Sequence, residues 1–230
     1  IAEKYTMLQN AMAGGERVFK LLDTDERILD EPSKNLVEPV RGHIEFDHVW
    51  FAYKDEDWVI KDLSFSLKPG ESLAIVGYTG SGKTTLALLL SRMWDVQKGE
   101  IRLDGIPIKD VPLAKLREAI RPVMQEVFLF SGSISENIAL GLDLGENEIE
   151  QALETVSAKD FVKQLPQQEN TILGEGALTL SSGQRQLLSF ARVVAHNPAI
   201  VVLDEATSSI DTETEQLVQK GLEGLLKGRT

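Results

Sequence analysis

The segment Gly77-Tyr78-Thr79-Gly80-Ser81-Gly82-Lys83-Thr84 constrains this chain more than any other stretch. It fits the spacing G-x-x-x-x-G-K-[ST], with a short apolar run, Leu73-Ala74-Ile75-Val76, before it and a helix-forming run from Thr85 to Met93 after it. A strand that curls through glycines into a helix turns successive backbone N–H groups toward one point. The helix N-terminus adds partial positive charge there, worth roughly 0.3 to 2 kcal/mol toward an anion. Such a turn holds phosphate. The spacing lets Lys83 reach the β and γ phosphates of a nucleotide and lets Thr84 put its hydroxyl on Mg²⁺.

The same turn resolves a conflict in the composition. The chain carries 24 Lys and Arg against 36 Asp and Glu, a net charge of −12 over 230 residues. That balance lacks the clustered basic surface needed to grip DNA, RNA or anionic lipid. An acidic protein can still bind a nucleotide when the cradle is built of backbone dipoles. A 42% hydrophobic and 26% charged chain can build a packed core. The absence of cysteine excludes disulfides, thiolate zinc sites and cysteine nucleophiles, and three histidines leave little for a His-rich metal centre. No run approaches the ~18 apolar residues of a membrane span. The opening residues do not read as a leader segment, and a chain that opens on Ile1 is expected to be a piece of a longer polypeptide.

Ile1, Tyr5, Leu8, Met12, Gly15, Phe19 and Leu22 fall on one stripe of a helix, interrupted by Gly14-Gly15. The stripe packs either on this domain or on a preceding region. Residues 23–42 read as a linker, with nine charged residues, Pro32 and Pro39. Ile44 and Phe46, then Val49 and Phe51, then Leu63, Phe65 and Leu67 alternate as half-buried strands do, and Lys68 to Glu71 is a turn. Leu73–Val76 and Ile200–Leu203 are continuously apolar, which predicts strands of a parallel sheet covered on both faces. Between them Phe128 to Ala195 is mostly helical in pattern, with a capping box at Ser133 and Glu136.

Two further motifs carry chemistry. Ile200–Leu203 ends in Asp204-Glu205, and carboxylates at the end of a buried strand need a partner such as Mg²⁺. Asp204 suits the metal, while Glu205 can orient and deprotonate an attacking water. Leu180-Ser181-Ser182-Gly183-Gln184-Arg185-Gln186 opens a helix closed by Asn197-Pro198, with small hydroxyl and glycine residues at its start. That is a second anion site or merely a capped helix.

Together the phosphate loop, Leu180–Gln186 and Asp204-Glu205-Ala206-Thr207-Ser208 resemble the nucleotide-binding domain of an ATP-binding cassette (ABC) transporter. The match spans essentially the whole chain, and residues 1–23 are similar to the helical tail of the exporter type. The resemblance implies an α/β fold: a P-loop ATPase core with a parallel sheet, an N-terminal antiparallel β subdomain and an inserted helical subdomain. It implies boundaries at 1–22 for the tail, 23–42 for the linker, 43–127 for the β subdomain and phosphate-loop core, 128–195 for the helical subdomain, and 196–230 for the returning core. It implies ATP and Mg²⁺ as ligands and hydrolysis to ADP and phosphate, with Glu205, Lys83 and Gln125 catalytic. Thr84, Gln125 and Asp204 match the metal positions. Gly77, Thr79, Gly80, Ser81, Gly82, Lys83, Thr84 and Thr85 match the phosphate cradle, and Tyr53 the aromatic that stacks on adenine. Gly174-Glu175 matches the stretch that meets the intracellular loops, and Ser208 to Asp211 the loop crossing the dimer interface. In the family two such domains sandwich ATP head to tail, so Ser181, Gly183 and Gln184 would contact nucleotide held by the partner. Transmembrane domains are then the other partner, and the domain lies on the cytoplasmic side of the cell membrane.

The sequence departs from the family at Ser182, which replaces the first glycine of Leu-Ser-Gly-Gly-Gln. Ala177 stands where glycine is usual, and Ser209-Ile210 where Ala-Leu is usual. All lie on the surface offered to the partner's ATP, which suggests a heterodimer. The family's switch histidine follows a strand beyond Thr230, and His196, which precedes Asp204, is not that residue. The chain as given is therefore expected to bind ATP-Mg²⁺ and hydrolyse it poorly. A soluble ABC-type ATPase of DNA repair or translation is disfavoured by the acidic balance and the tail. A P-loop kinase or GTPase of another family leaves Leu180–Gln186 unexplained, and no Asn-Lys-x-Asp guanine reader is present.

Overall fold

A computed structural model of the chain describes residues 2–24, 28–124, 126–174, 180–204 and 212–230. Helix α1 spans Ala2–Asp23 and runs through Gly14 and Gly15 without a break. None of its residues is buried, and Tyr5, Leu8, Met12, Phe19 and Leu22 all stay exposed. Residues 28–43 form no helix or strand. They touch the body where Ser33 and Lys34 donate to the Asp110 carbonyl and Arg92 donates to the Leu29 carbonyl.

Strands β1 (Ile44–Ala52) and β2 (Trp58–Leu67) pair antiparallel. Their inward residues change parity between Phe46 and Val49, because the register shifts there and His48 adopts a φ of 47°. This bulge is why the apolar positions read 44, 46, then 49, 51. Phe46 stacks on Phe65 with ring centroids 4.5 Å apart. Helix α2 (Lys83–Leu90) follows, then β3 (Lys98–Leu103) and β4 (Ile106–Pro107), completing a sheet of order β2-β1-β3-β4. Helix α3 (Leu113–Ala119) leads straight into β5 (Ile120–Val123).

The middle of the chain is helical, as its pattern predicts. A short strand β6 (Gly132–Ser133) precedes α4 (Ile134–Ala139), where Ser133 and Glu136 form the expected capping box. Helices α5 (Glu146–Thr155) and α6 (Lys159–Lys163) come next, then β7 (Ile172–Leu173), which pairs with β6. Helix α7 (Ser182–His196) ends at Asn197 in the left-handed conformation, φ 43°, before Pro198. Strand β8 (Ile200–Leu203) and helix α8 (Thr212–Leu226) complete the described chain.

Strands β5 and β8 run parallel in register, Ile120 beside Ile200 through Val123 beside Leu203. This ribbon lies between two cores. Ile120, Ile200 and Val202 face the core of the antiparallel sheet, with Phe51, Leu89 and Leu103. Val123, Val201 and Leu203 face the core of the helical half, with Leu187, Phe190 and Val218. A strand whose alternate residues enter two different cores must be apolar throughout, as Ile200–Leu203 is.

The companion expectation for Leu73–Val76 is corrected. Residues 71–78 form no strand, and Leu73, Ile75 and Val76 are exposed. A strand needs a hydrogen-bonding neighbour. The free edge of β8 is met instead by Thr230, whose N–H donates to the Ala199 carbonyl and whose carbonyl accepts from Val201 N–H. The parallel sheet therefore has two strands among the described residues.

Phe190, fully buried at the centre of the helical core, sets the scale of that packing. Phe190→Ala should lower unfolding free energy by about 3–5 kcal/mol in urea titrations followed by far-UV circular dichroism.

Candidate active site

The phosphate loop is exposed on the surface, with Tyr78 92% accessible. Gly80 (φ 84°) and Gly82 (φ 91°) both take the left-handed conformation that the curl requires. A β-carbon at Gly82 would also come 2.8 Å from Ile60 Cδ1. Within the loop Ser81 N–H donates to the Tyr78 carbonyl. Gly82 is the N-cap of α2 and supplies no side-chain cap, which leaves the opening N–H groups of that helix available to an anion. Thr79 lies within this curl.

Lys83, the first residue of α2, donates from Nζ to the Gly77 carbonyl at 2.8 Å and the Tyr78 carbonyl at 3.1 Å. An ammonium has three donors, so this bridge keeps the charge over the loop with one donor to spare. Thr84 points the other way. Its Oγ1 donates to Asp204 Oδ2 at 2.9 Å across 120 positions of sequence. Asp204 is placed by the parallel ribbon, its N–H donating to the Val123 carbonyl at 3.1 Å, one residue beyond β8. A hydroxyl beside a carboxylate is a pair of hard oxygen donors of the kind Mg²⁺ takes, so the residues present fit that ion. Tyr53 stands just past β1, its hydroxyl 3.0 Å from Oγ1 of buried Thr85.

Ser181, Gly183 and Gln184 are brought together with one another at the start of α7. Ser181 is the N-cap: its Oγ accepts from Gln184 N–H at 3.2 Å, and its N–H donates to Gln184 Oε1 at 3.0 Å. The capping function anticipated for this segment is real, and it leaves the Ser181 hydroxyl proton free of that bond. Gly183 is buried and Gly174 is exposed. Gln125, Glu175, Ala177, Glu205 and Ser208 to Asp211 lie outside the described residues.

A polar hub escaped the sequence reading. Asn137 is buried on α4 between Ile134 and Ile138, accepting from Phe130 N–H at 2.8 Å and donating to the Phe130 and Ser133 carbonyls. Arg192 of α7 donates to the Asn137 carbonyl at 2.8 Å and the Phe128 carbonyl at 3.2 Å. These bonds tie the segment after β5 to the helix that Ser181 caps. A lone amide on an apolar helix face was the available signal. Nearby, His196 Nδ1 lies 2.8 Å from Arg121 Nη2, and burial, followed by the charge of Arg121, holds the imidazole pKa below its ordinary value.

A phosphate loop, a hydroxyl–carboxylate pair and a two-stranded parallel ribbon between a β sheet and a helical layer define a nucleotide-dependent α/β ATPase. Comparison with known proteins specifies which. The ABC transporter family model matches residues 60–208. The uncharacterized ABC transporter ATP-binding protein YknV of Bacillus subtilis is 45% identical over all of this chain and 38% of its own length. The ATP-dependent lipid A-core flippase of Alkalilimnicola ehrlichii is 44% identical over 97% of this chain and 38% of its own length. Among solved structures, a bacterial Atm1-family ABC exporter with ATP bound superposes with a TM-score of 0.82 at 36% identity, covering 98% of this chain and 40% of that one. This chain belongs to the ABC transporter family and is its ATP-binding, ATP-hydrolysing domain. It spans about two fifths of the length of the relatives it matches.

Because Lys83 is the cation closing the loop, Lys83→Ala should weaken binding of inorganic tripolyphosphate about 10- to 100-fold, the size of a lost charge-assisted hydrogen bond. Isothermal titration calorimetry on the folded variant measures it.

Proposed function

We propose that this chain is the motor of an ABC exporter, in which ATP binding closes a pair of such domains and hydrolysis reopens them. The observation that carries the reading is the bond from Thr84 to Asp204 at the mouth of a helix whose first N–H groups have no side-chain cap. In this reading Gly77 to Thr85 hold the nucleotide's phosphates and Tyr53 stacks on adenine. Thr84, Asp204 and Gln125 would hold Mg²⁺, which when bound would supply positive charge against the nucleotide's phosphates. Glu205 takes a proton from water as the water oxygen bonds to the γ phosphorus and the bond to ADP breaks. Positioning and electrostatics do the work, with no covalent intermediate.

Ser181, Gly183 and Gln184 are assigned to nucleotide held by a second, non-identical domain of the same type. Support comes from three departures from the family pattern in the sequence, at Ser182, Ala177 and Ser209-Ile210, while Lys83, Thr84, Gln125, Asp204 and Glu205 follow it. The divisions at residues 22, 42, 127 and 195 belong to the same reading, as does attachment to transmembrane domains on the cytoplasmic side of the cell membrane. Among the described residues no helix is long and apolar enough to cross a membrane. The match to a lipid A-core flippase and an Atm1-family exporter supports export as the coupled process.

Glu205→Gln tests the assignment in the assembled transporter. Phosphate release should fall about 10²- to 10⁴-fold while ATP binding persists. Turnover at the parental rate would remove Glu205 from the mechanism. Two equivalent active sites would remove the non-identical partner.

A further inference from the structure

Three aromatic rings meet beside the phosphate loop, and no motif announced them. Tyr53 stands nearly perpendicular to Phe51, centroids 4.8 Å apart at 87°, and to Trp94, 5.4 Å apart at 87°. Phe51 and Trp94 also touch, at 6.1 Å. Phe51 is buried in the antiparallel core, whereas Tyr53 is 47% and Trp94 43% exposed. The Tyr53 ring thus has a fixed ring behind it, a second ring on its flank, and a hydroxyl tether to Thr85 in the first turn of α2. It keeps free surface.

Trp94 is itself anchored through its chain neighbours. Met93 N–H donates to the Leu88 carbonyl at 2.9 Å, and Asp95 accepts from Nε of the buried Arg92 at 2.9 Å. The tryptophan therefore transmits the position of the α2 end to a ring that follows β1. An aromatic platform whose ring is already oriented loses less side-chain freedom when a base stacks on it.

We infer that Trp94 is a positioning residue for purine recognition, setting the orientation of Tyr53 so that the base of the nucleotide meets a ring already in place. The inference rests on the reading of Tyr53 as the adenine platform. Trp94 acts on the base and leaves the phosphates to the loop, so its removal separates ligands with a base from those without one.

The test measures Mg²⁺-dependent binding of ATP and of inorganic tripolyphosphate to the parental chain and to Trp94→Ala, Trp94→Leu, Trp94→Phe and Tyr53→Ala, by calorimetry. Trp94→Ala and Trp94→Leu should weaken ATP about 3- to 10-fold, the scale of one lost aromatic pair, and leave tripolyphosphate unchanged. Trp94→Phe, which restores a ring, should recover most of the loss. Unaltered ATP binding in Trp94→Ala and Trp94→Leu, beside a clear loss in Tyr53→Ala, would overturn the role of Trp94 and leave the platform standing. Equal losses for ATP and tripolyphosphate would show a general structural role and overturn it as well. Unaltered ATP binding in Tyr53→Ala would remove the platform and the inference together.

Discussion

The parallel pairing of β5 with β8 is the constraint on which the rest of the molecule depends. Four register pairs hold the two strands side by side, and their alternate residues enter the antiparallel core on one face and the helical core on the other. Neither core closes without this ribbon. Because the strands run the same way, both end at one edge, and the ladder continues into Asp204 through its bond to the Val123 carbonyl. Parallel strands of an α/β sheet present their ligand sites at that carboxyl edge. Packing in two cores is thereby converted into the position of one carboxylate.

The second half of the site arrives from the other direction. The curl through Gly80 and Gly82 starts α2 with uncapped N–H groups, keeps Lys83 over the loop carbonyls, and aims Thr84 at Asp204. An acidic chain of net charge −12 can accept a polyphosphate at such a place because the attraction is local. Backbone dipoles and one ammonium act within a few ångströms, whereas surface charge farther than a Debye length is largely screened. The hydroxyl of Tyr53, just past β1, is tethered to Thr85 in the same helix turn, which ties the antiparallel sheet to this end of the site.

What could be read in the sequence was what local pattern encodes. The glycine spacing, the capping box at Ser133, the helix start at Ser181 and the alternating β1 and β2 are short-range features, and each has its counterpart in the structure. Ile200–Leu203 was legible as a strand covered on both faces because two cores demand an unbroken apolar run. Its partner β5 was not. Ile120-Arg121-Pro122-Val123 is four residues long with a proline inside, and only the tertiary pairing makes it a strand. Leu73–Val76 misled for the converse reason, since an apolar run becomes a strand only beside a neighbour, and here its residues are exposed. Trp94 and Arg192 were invisible because their contacts cross long stretches of chain.

The central claim is that Thr84 and Asp204 act as one unit on a shared divalent ion. A double-mutant cycle of Thr84→Val and Asp204→Asn, read as ATP affinity with and without Mg²⁺, tests it directly. Shared coordination predicts that in Mg²⁺ the double variant loses clearly less than the sum of the two single losses, by about 1 kcal/mol or more, and that the coupling vanishes when Mg²⁺ is chelated. Additive losses in Mg²⁺, or coupling that persists without it, would show that the bond between them is structural and would contradict the account.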